Sequence, residues 1–238
     1  MDKKRFYRNW AKKSSLLNFE VKVFETDLCV FCDKMLKKEV EEVVYAYRKI
    51  LLDYIEKNSS FRDSFKPIET DKTAPEIIKD MIKKSTVAGV GPMAGVAGAI
   101  AEYIGKALLE NCSEVIIENG GDIFIKTNEE KKLGIYAGNS PLSGKISLRI
   151  DSREAPLGVC TSSGTVGHSK SFGISDATMI IASDAILADC VATQTGNLVK
   201  SADDLKIAID YAKSIDNVKG ALIILGDKLA TWGEVQLI

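Results

Sequence analysis

Residues 160–197 read C-T-S-S-G-T-V-G-H-S-K-S-F-G-I-S-D-A-T-M-I-I-A-S-D-A-I-L-A-D-C-V-A-T-Q-T-G-N and hold most of the side chains in this sequence that can do chemistry. Thr161 to Gly167, with Ser162, Ser163, Gly164 and Thr165, form a turn rich in hydroxyls and glycine, whose unencumbered backbone N–H groups suit a phosphate or another anion. His168, the only histidine of the chain, follows at once and titrates in the range useful to a general base. Asp189 and Thr193 are four residues apart in a helical pattern, so their oxygens share one face. A carboxylate and a hydroxyl placed so beside an anion site can hold Mg²⁺, a hard cation that takes few protein oxygens and leaves the rest to water and phosphate. The same spacing also describes the polar edge of an ordinary amphipathic helix, and both readings are open.

The elements that must position these groups follow from pattern. Residues 178–182 are an apolar run of strand length, Ser183 stands at an N-cap position, and residues 185–195 continue as a helix. Upstream, residues 87–110 carry glycines and alanines into the start of a helix. That costs about 1 kcal/mol per glycine relative to alanine, so close approach to another element or to a ligand is implied. Glu102, an acid within that small-residue face, is a candidate ligand contact. Asn119-Gly120-Gly121-Asp122 between two apolar runs reads as a hairpin turn, from which Asn119 and Asp122 can point into a site.

Elsewhere, residues 19–24 and 28–32 read as a hairpin turning at 25–27. Asp33 is placed to cap a long helix marked by Leu36, Val40, Val43, Tyr47, Leu51 and Ile55. Thr73 and Glu76 have capping-box spacing ahead of a helix that buries Ile77, Ile78, Met81 and Ile82. Strands are expected at 114–118, 123–126, 133–136, 146–150, 157–160 and 221–225, with a further helix at 202–214 and a last apolar segment at 234–238. Four or five helices among about nine strands, many joined by hairpin-length turns, give an α+β class with largely antiparallel sheets packed with helices. The 238 residues make one domain or two fused lobes.

Lysines and arginines number 32 against 33 acids, a net charge of -1, which removes any global attraction to nucleic acid or to an anionic membrane. The first residues are locally basic with Phe6, Tyr7 and Trp10 interleaved and read as a docking segment, with RNA binding as the lesser reading. No apolar run approaches the roughly 18 residues of a membrane span and no signal-peptide core follows Met1, so a cytoplasmic protein is expected. Five cysteines, an odd number, fit a reducing compartment. Cys29 and Cys32 form a C-x-x-C inside a strand-like run, read first as small buried thiols and second as a zinc or redox pair. A homodimer is the expectation for a soluble enzyme.

The order of N-G-G-D at 119–122, C-T-S-S-G at 160–164 and A-D-x-x-x-T at 188–193 resembles the ApbE family, the FAD:protein FMN transferases. The strings V-G-P-M-A-G-V-A-G-A-I-A-E and C-T-S-S-G-T-V-G-H-S, with R-F-Y-R-N-W near the start and W-G near the end, are similar to an uncharacterised protein family (UPF) branch of that superfamily. The resemblance implies an ApbE-like fold and Mg²⁺-dependent transfer of FMN from FAD to a Thr or Ser hydroxyl of a protein acceptor, with release of AMP. It matches Asp189 and Thr193 to the metal ligands and Asn119-Gly120-Gly121-Asp122 to the turn beside the flavin nucleotide. Thr161 and Ser162 match the T-S of an active turn, and Glu102 an acid near the adenosine part. Ala97 stands where the family has a lysine, and the family's H-x-x-D-P-x-T-G segment has no counterpart; Lys170 and His168 are the candidate replacements. Three functions are therefore open: a flavin or related nucleotide transferase, a nucleotide-binding or protein-interaction member without transfer activity, and a hydrolase using Ser162 or Ser163 with His168 and Asp176. The last lacks a G-x-S-x-G elbow.

Overall fold

A β-hairpin starts the fold: β1 (Leu17–Val23) and β2 (Thr26–Cys32) pair antiparallel, Val23 opposite Thr26. The turn is Phe24-Glu25, one residue earlier than its polar composition indicates, with Phe24 at φ 53°. The computed structural model describes residues 16–165 and 171–238. The N-terminal docking segment, His168 and Lys170 lie outside the described residues.

Helices α1 (Lys37–Lys57), the short α2 (Ser59–Asp63) and α3 (Glu76–Ala88) follow. A 3-10 turn at Pro92–Gly95 leads into α4 (Val96–Leu109). Next come β3 (Val115–Asn119), β4 (Asp122–Lys126), β5 (Lys131–Gly134), β6 (Ser147–Ile150), β7 (Leu157–Ser162) and β8 (Ala177–Ala182). The chain then runs through α5 (Ala185–Leu198), α6 (Leu205–Ser214), β9 (Val218–Leu225), β10 (Lys228–Gly233) and β11 (Gln236–Leu237). Eight strands form one antiparallel sheet in the order β1-β2-β3-β4-β7-β8-β9-β10, and β11-β6-β5 form a second. The α+β class with largely antiparallel sheets is therefore correct. β10 escaped the sequence reading because its alternation is half exposed and lies on a sheet edge.

The period of two along each central strand divides the core. Val115, Ile117, Phe124, Cys160, Ile180 and Ala182 face the helices, whereas Ile116, Ile125, Val159, Met179 and Ile181 face the side of the three-stranded sheet. Both faces of the large sheet are thus covered, which explains why β8 is apolar at nearly every position. Cys29 and Cys32, three apart on β2, fall into opposite cores and cannot converge on one ion; all five cysteines are buried and free.

Several caps differ from expectation. Asp33 does not cap α1, whose N-cap is Leu36; it accepts from the backbone N–H and hydroxyl of Ser113 (2.9 and 2.7 Å). Thr73 bonds to Asp71, and α3 begins after Pro75 with no side-chain cap. The N-cap of α5 is Asp184, not Ser183: its carboxylate accepts from Leu187 N–H at 2.8 Å. An aspartate beside a serine competes successfully for this position because its charge also interacts with the helix dipole.

Candidate functional site

The small residues of α4 serve close approach to α5. A Cβ added at Gly98 would lie 2.3 Å from the Ala185 carbonyl oxygen and 2.9 Å from Asp189 Cβ, and one at Gly95 would meet Cys190 Sγ at 2.6 Å. With both helices this close, the N–H of Gly98 donates to Asp189 Oδ2 at 2.9 Å. Asp189 is 8% exposed. Burial, and then the Asp122 carboxylate, hold it well above the usual carboxylate range; the Gly98 and Ala97 N–H groups oppose this in part.

Asp122 comes from the hairpin turn. Gly120 and Gly121 take φ of 72° and 111°, values that glycine adopts without strain, so Asn119 and Asp122 pair directly across the turn. Asn119 Nδ2 donates to the Ala97 carbonyl (3.1 Å), clamping the turn to the start of α4. Asp122 Oδ1 accepts from Thr161 N–H (3.2 Å), clamping it to the end of β7. The turn is thereby fixed between the two segments, and Asp122 and Asp189 both lie near enough to the buried Cys160 thiol to raise the cost of ionising it, after burial itself. Thr193 is half-buried one turn beyond Asp189 on α5.

The hydroxyl turn is less open than its composition implies. Gly164 N–H donates to the Ser175 carbonyl (2.9 Å), Thr165 N–H to Ser163 Oγ (3.1 Å), and Thr161 N–H to Asp122. Thr165 Oγ1 donates to Asp176 Oδ1 (3.1 Å), whose other oxygen accepts from Gly226 N–H (2.7 Å). Three N–H groups of the turn read as an anion cradle over 161–167 are therefore bonded internally, at Thr161, Gly164 and Thr165. Asp176, the acid nearest the serines in sequence, belongs to the same internal network.

Glu102 is 2% exposed. Its Oε2 accepts from the N–H groups of Ala185 (2.7 Å) and Ile186 (3.2 Å), the first turn of α5, and Oε1 pairs with Lys106 Nζ at 2.6 Å. The expected ligand contact is occupied as a helix cap instead: burial, then Asp184, raise its proton affinity, and Lys106 opposes them. Glu102→Gln keeps an acceptor for the α5 N–H groups but removes the charge, so a loss of about 1 kcal/mol in stability is expected, with Mg²⁺ and nucleotide affinities unchanged. Thermal denaturation with parallel titrations checks this; a selective loss of nucleotide affinity at unchanged Tm would restore a ligand contact.

The donor set fits a hard cation. Asp122, Asp189 and Thr193 present oxygens only, and among the described residues no lysine or arginine offsets the buried Asp189 charge. The pairing of Asp122 with Asp189 is the feature that sequence spacing does not carry, because the two lie on different elements.

A family model described as AbpE bacteria matches residues 8–229. A UPF0280 protein of Methanocella arvoryzae is 40% identical over 215 residues, covering 90% of this chain and 87% of its own. A UPF0280 protein of Methanococcus aeolicus is 38% identical over 227 residues, with 92% and 91% covered. Among solved structures, the flavinyl transferase ApbE of Pseudomonas stutzeri, in its apo form, superimposes with a TM-score of 0.61 at 11% identity, over 92% of this chain and 95% of that one. The apbe protein of Thermotoga maritima does so at 0.62 and 13%, over 91% and 96%. At these identities the structural likeness is one of fold.

Proposed function

The chain belongs to the AbpE bacteria family, as a UPF0280 member of the ApbE-like superfamily, and from that premise we propose that it binds a flavin or other pyrophosphate-containing nucleotide with Mg²⁺ and transfers FMN from FAD to a Thr or Ser hydroxyl of a protein. The reading takes residues 1–238 as one ApbE-like domain. The observation that carries it is that Asp122, from a hairpin turn, acts on the buried Asp189 carboxylate of α5, with the Thr193 hydroxyl one helical turn further on, a setting that favours a compensating cation.

In this reading Asp189 and Thr193, with Asp122 beside them, hold the cation. Bound Mg²⁺ supplies charge neutralisation on the pyrophosphate. The acceptor hydroxyl oxygen forms a bond to the FMN phosphorus, the bond from that phosphorus to the bridging pyrophosphate oxygen breaks, and AMP leaves with the electron pair. The hydroxyl proton passes to a base, for which His168 has the suitable chemistry. Gly98 N–H and the Asn119 clamp keep Asp189 and the turn in register. A second reading, a nucleotide-binding or protein-interaction member without transfer activity, is favoured by Ala97 in place of the family's lysine.

Calorimetric titration of FAD, FMN, ADP and ATP into the protein, with Mg²⁺ and then with EDTA, tests the proposal. Metal-dependent FAD binding is expected, followed by AMP release and a flavinylated protein detected by mass spectrometry. Binding without AMP release with any acceptor would select the non-catalytic reading. No nucleotide binding in either condition would overturn both.

A further inference from the structure

Two aromatic rings stand exposed on loops that pack against the elements leading to Asp189 and Thr193. Phe65 and Phe172 are 57% and 54% exposed, Ile174 next to them is 47% exposed, and the two rings meet edge-to-face with centroids 5.2 Å apart at 73°. An isolated exposed phenylalanine needs no explanation, but a pair assembled from two distant loops does.

The backbone beneath each ring is fixed. Ser64 N–H donates to the Ser60 carbonyl (3.1 Å), and Ser64 Oγ bonds to Lys66 on both its carbonyl (2.7 Å) and its N–H (3.1 Å), which holds both sides of Phe65. Gly91 packs beneath this loop: a Cβ there would lie 1.8 Å from the Ser64 carbonyl oxygen. Phe172 N–H donates to Asn197 Oδ1 (2.8 Å), Lys200 Nζ bonds to its carbonyl, and Ile174 N–H donates to the Val199 carbonyl (2.9 Å). Gly173 presses against α5 so closely that a Cβ would lie 1.8 Å from the Gly196 carbonyl oxygen.

These same contacts tie the rings to the candidate site. Gly196 is three residues beyond Thr193 on α5, Gly164 of the hydroxyl turn packs on Gly173 (2.2 Å from an added Cβ to its oxygen), and Gly91 precedes the segment that carries Gly98 to Asp189. An aromatic pair held on loops packed against the elements that carry the proposed cation site suits a ligand with an anionic part and a planar part. Stacking on a preformed ring avoids the ordering cost that a flexible loop would add.

We propose that Phe65 and Phe172 form the subsite for the planar heteroaromatic ring of the nucleotide, the isoalloxazine of a flavin, while Asp189, Thr193 and Asp122 face its phosphates. This rests on the nucleotide reading above. It explains why two large apolar side chains remain exposed on loops held by backbone hydrogen bonds on either side of each ring.

The test is titration of FAD, FMN and inorganic pyrophosphate, each with Mg²⁺, into the wild-type protein and the Phe65→Ala/Phe172→Ala variant. Both rings are surface groups, so the fold should persist, as circular dichroism will check. A 10- to 100-fold loss of FAD and FMN affinity, the range for loss of aromatic stacking, is expected with pyrophosphate affinity unchanged. Phe172→Trp, which keeps a ring, should retain FAD affinity and quench the fluorescence of the bound flavin. Equal FAD affinity in wild type and the double variant overturns the ring subsite alone, and if the double variant also loses self-association the pair belongs to a contact between copies. Failure of the wild type to bind FAD overturns the nucleotide reading and the subsite with it.

Discussion

Asp189→Asn is expected to make the metal-free protein more stable while abolishing its stabilisation by Mg²⁺. Asparagine keeps the volume and an oxygen acceptor for Gly98 N–H, and removes a buried charge that lies near Asp122. Relief of that desolvation is worth on the order of 1–3 kcal/mol. For a chain of this size it should raise Tm by roughly 2–4 °C per kcal/mol. The sign with pH is defined. Because the folded-state proton affinity of Asp189 is raised, the folded wild type retains a proton that the unfolded chain gives up near pH 3.9. The Asp189 contribution to metal-free stability is therefore fully present at low pH and declines as pH rises toward the folded-state value. The variant should lack this decline. Mg²⁺ competes with that proton, so wild-type Mg²⁺ affinity should increase with pH, and saturating metal at about one hundred times Kd should add about 2.7 kcal/mol. Scanning calorimetry of both proteins across pH, in EDTA and in Mg²⁺, reads all of this. An equal Mg²⁺ shift in wild type and variant would remove Asp189 from the metal site.

Gly98→Ala should destabilise the fold and weaken the Asp189 site together. Helix propensity alone favours alanine by about 1 kcal/mol. Against this, the new methyl would lie 2.3 Å from the Ala185 carbonyl oxygen, a backbone atom that Glu102 and the first turn of α5 hold in place. Overpacking against such a neighbour costs up to about 3 kcal/mol, so a net loss of up to roughly 2 kcal/mol and a Tm lower by up to about 4–8 °C are expected. The displaced helix also lengthens the Gly98–Asp189 hydrogen bond, and Mg²⁺ affinity should fall with stability. If Gly98→Ala matches the wild type in both measurements, contact between α4 and α5 does not explain the small residues.

The sequence by itself determined the local elements. Alternation located β1, apolar runs located β2 and β8, three- and four-residue periodicity located α1, cap signals located the starts of α3 and α5, and Asn119-Gly120-Gly121-Asp122 defined the hairpin of β3 and β4. It also placed Asp189 and Thr193 on one face of one helix, since a four-residue spacing is a distance within that helix. Only the tertiary structure decided which partners these side chains have. Asp33 bonds to Ser113, Glu102 caps α5, Gly98 N–H bonds to Asp189, and Asp122 stands by Asp189. The same holds for Phe65 meeting Phe172. The physical reason is that periodicity records contacts closed by one element's own geometry, whereas each of these joins segments far apart in the chain whose approach is set by how α4, α5 and the sheet pack.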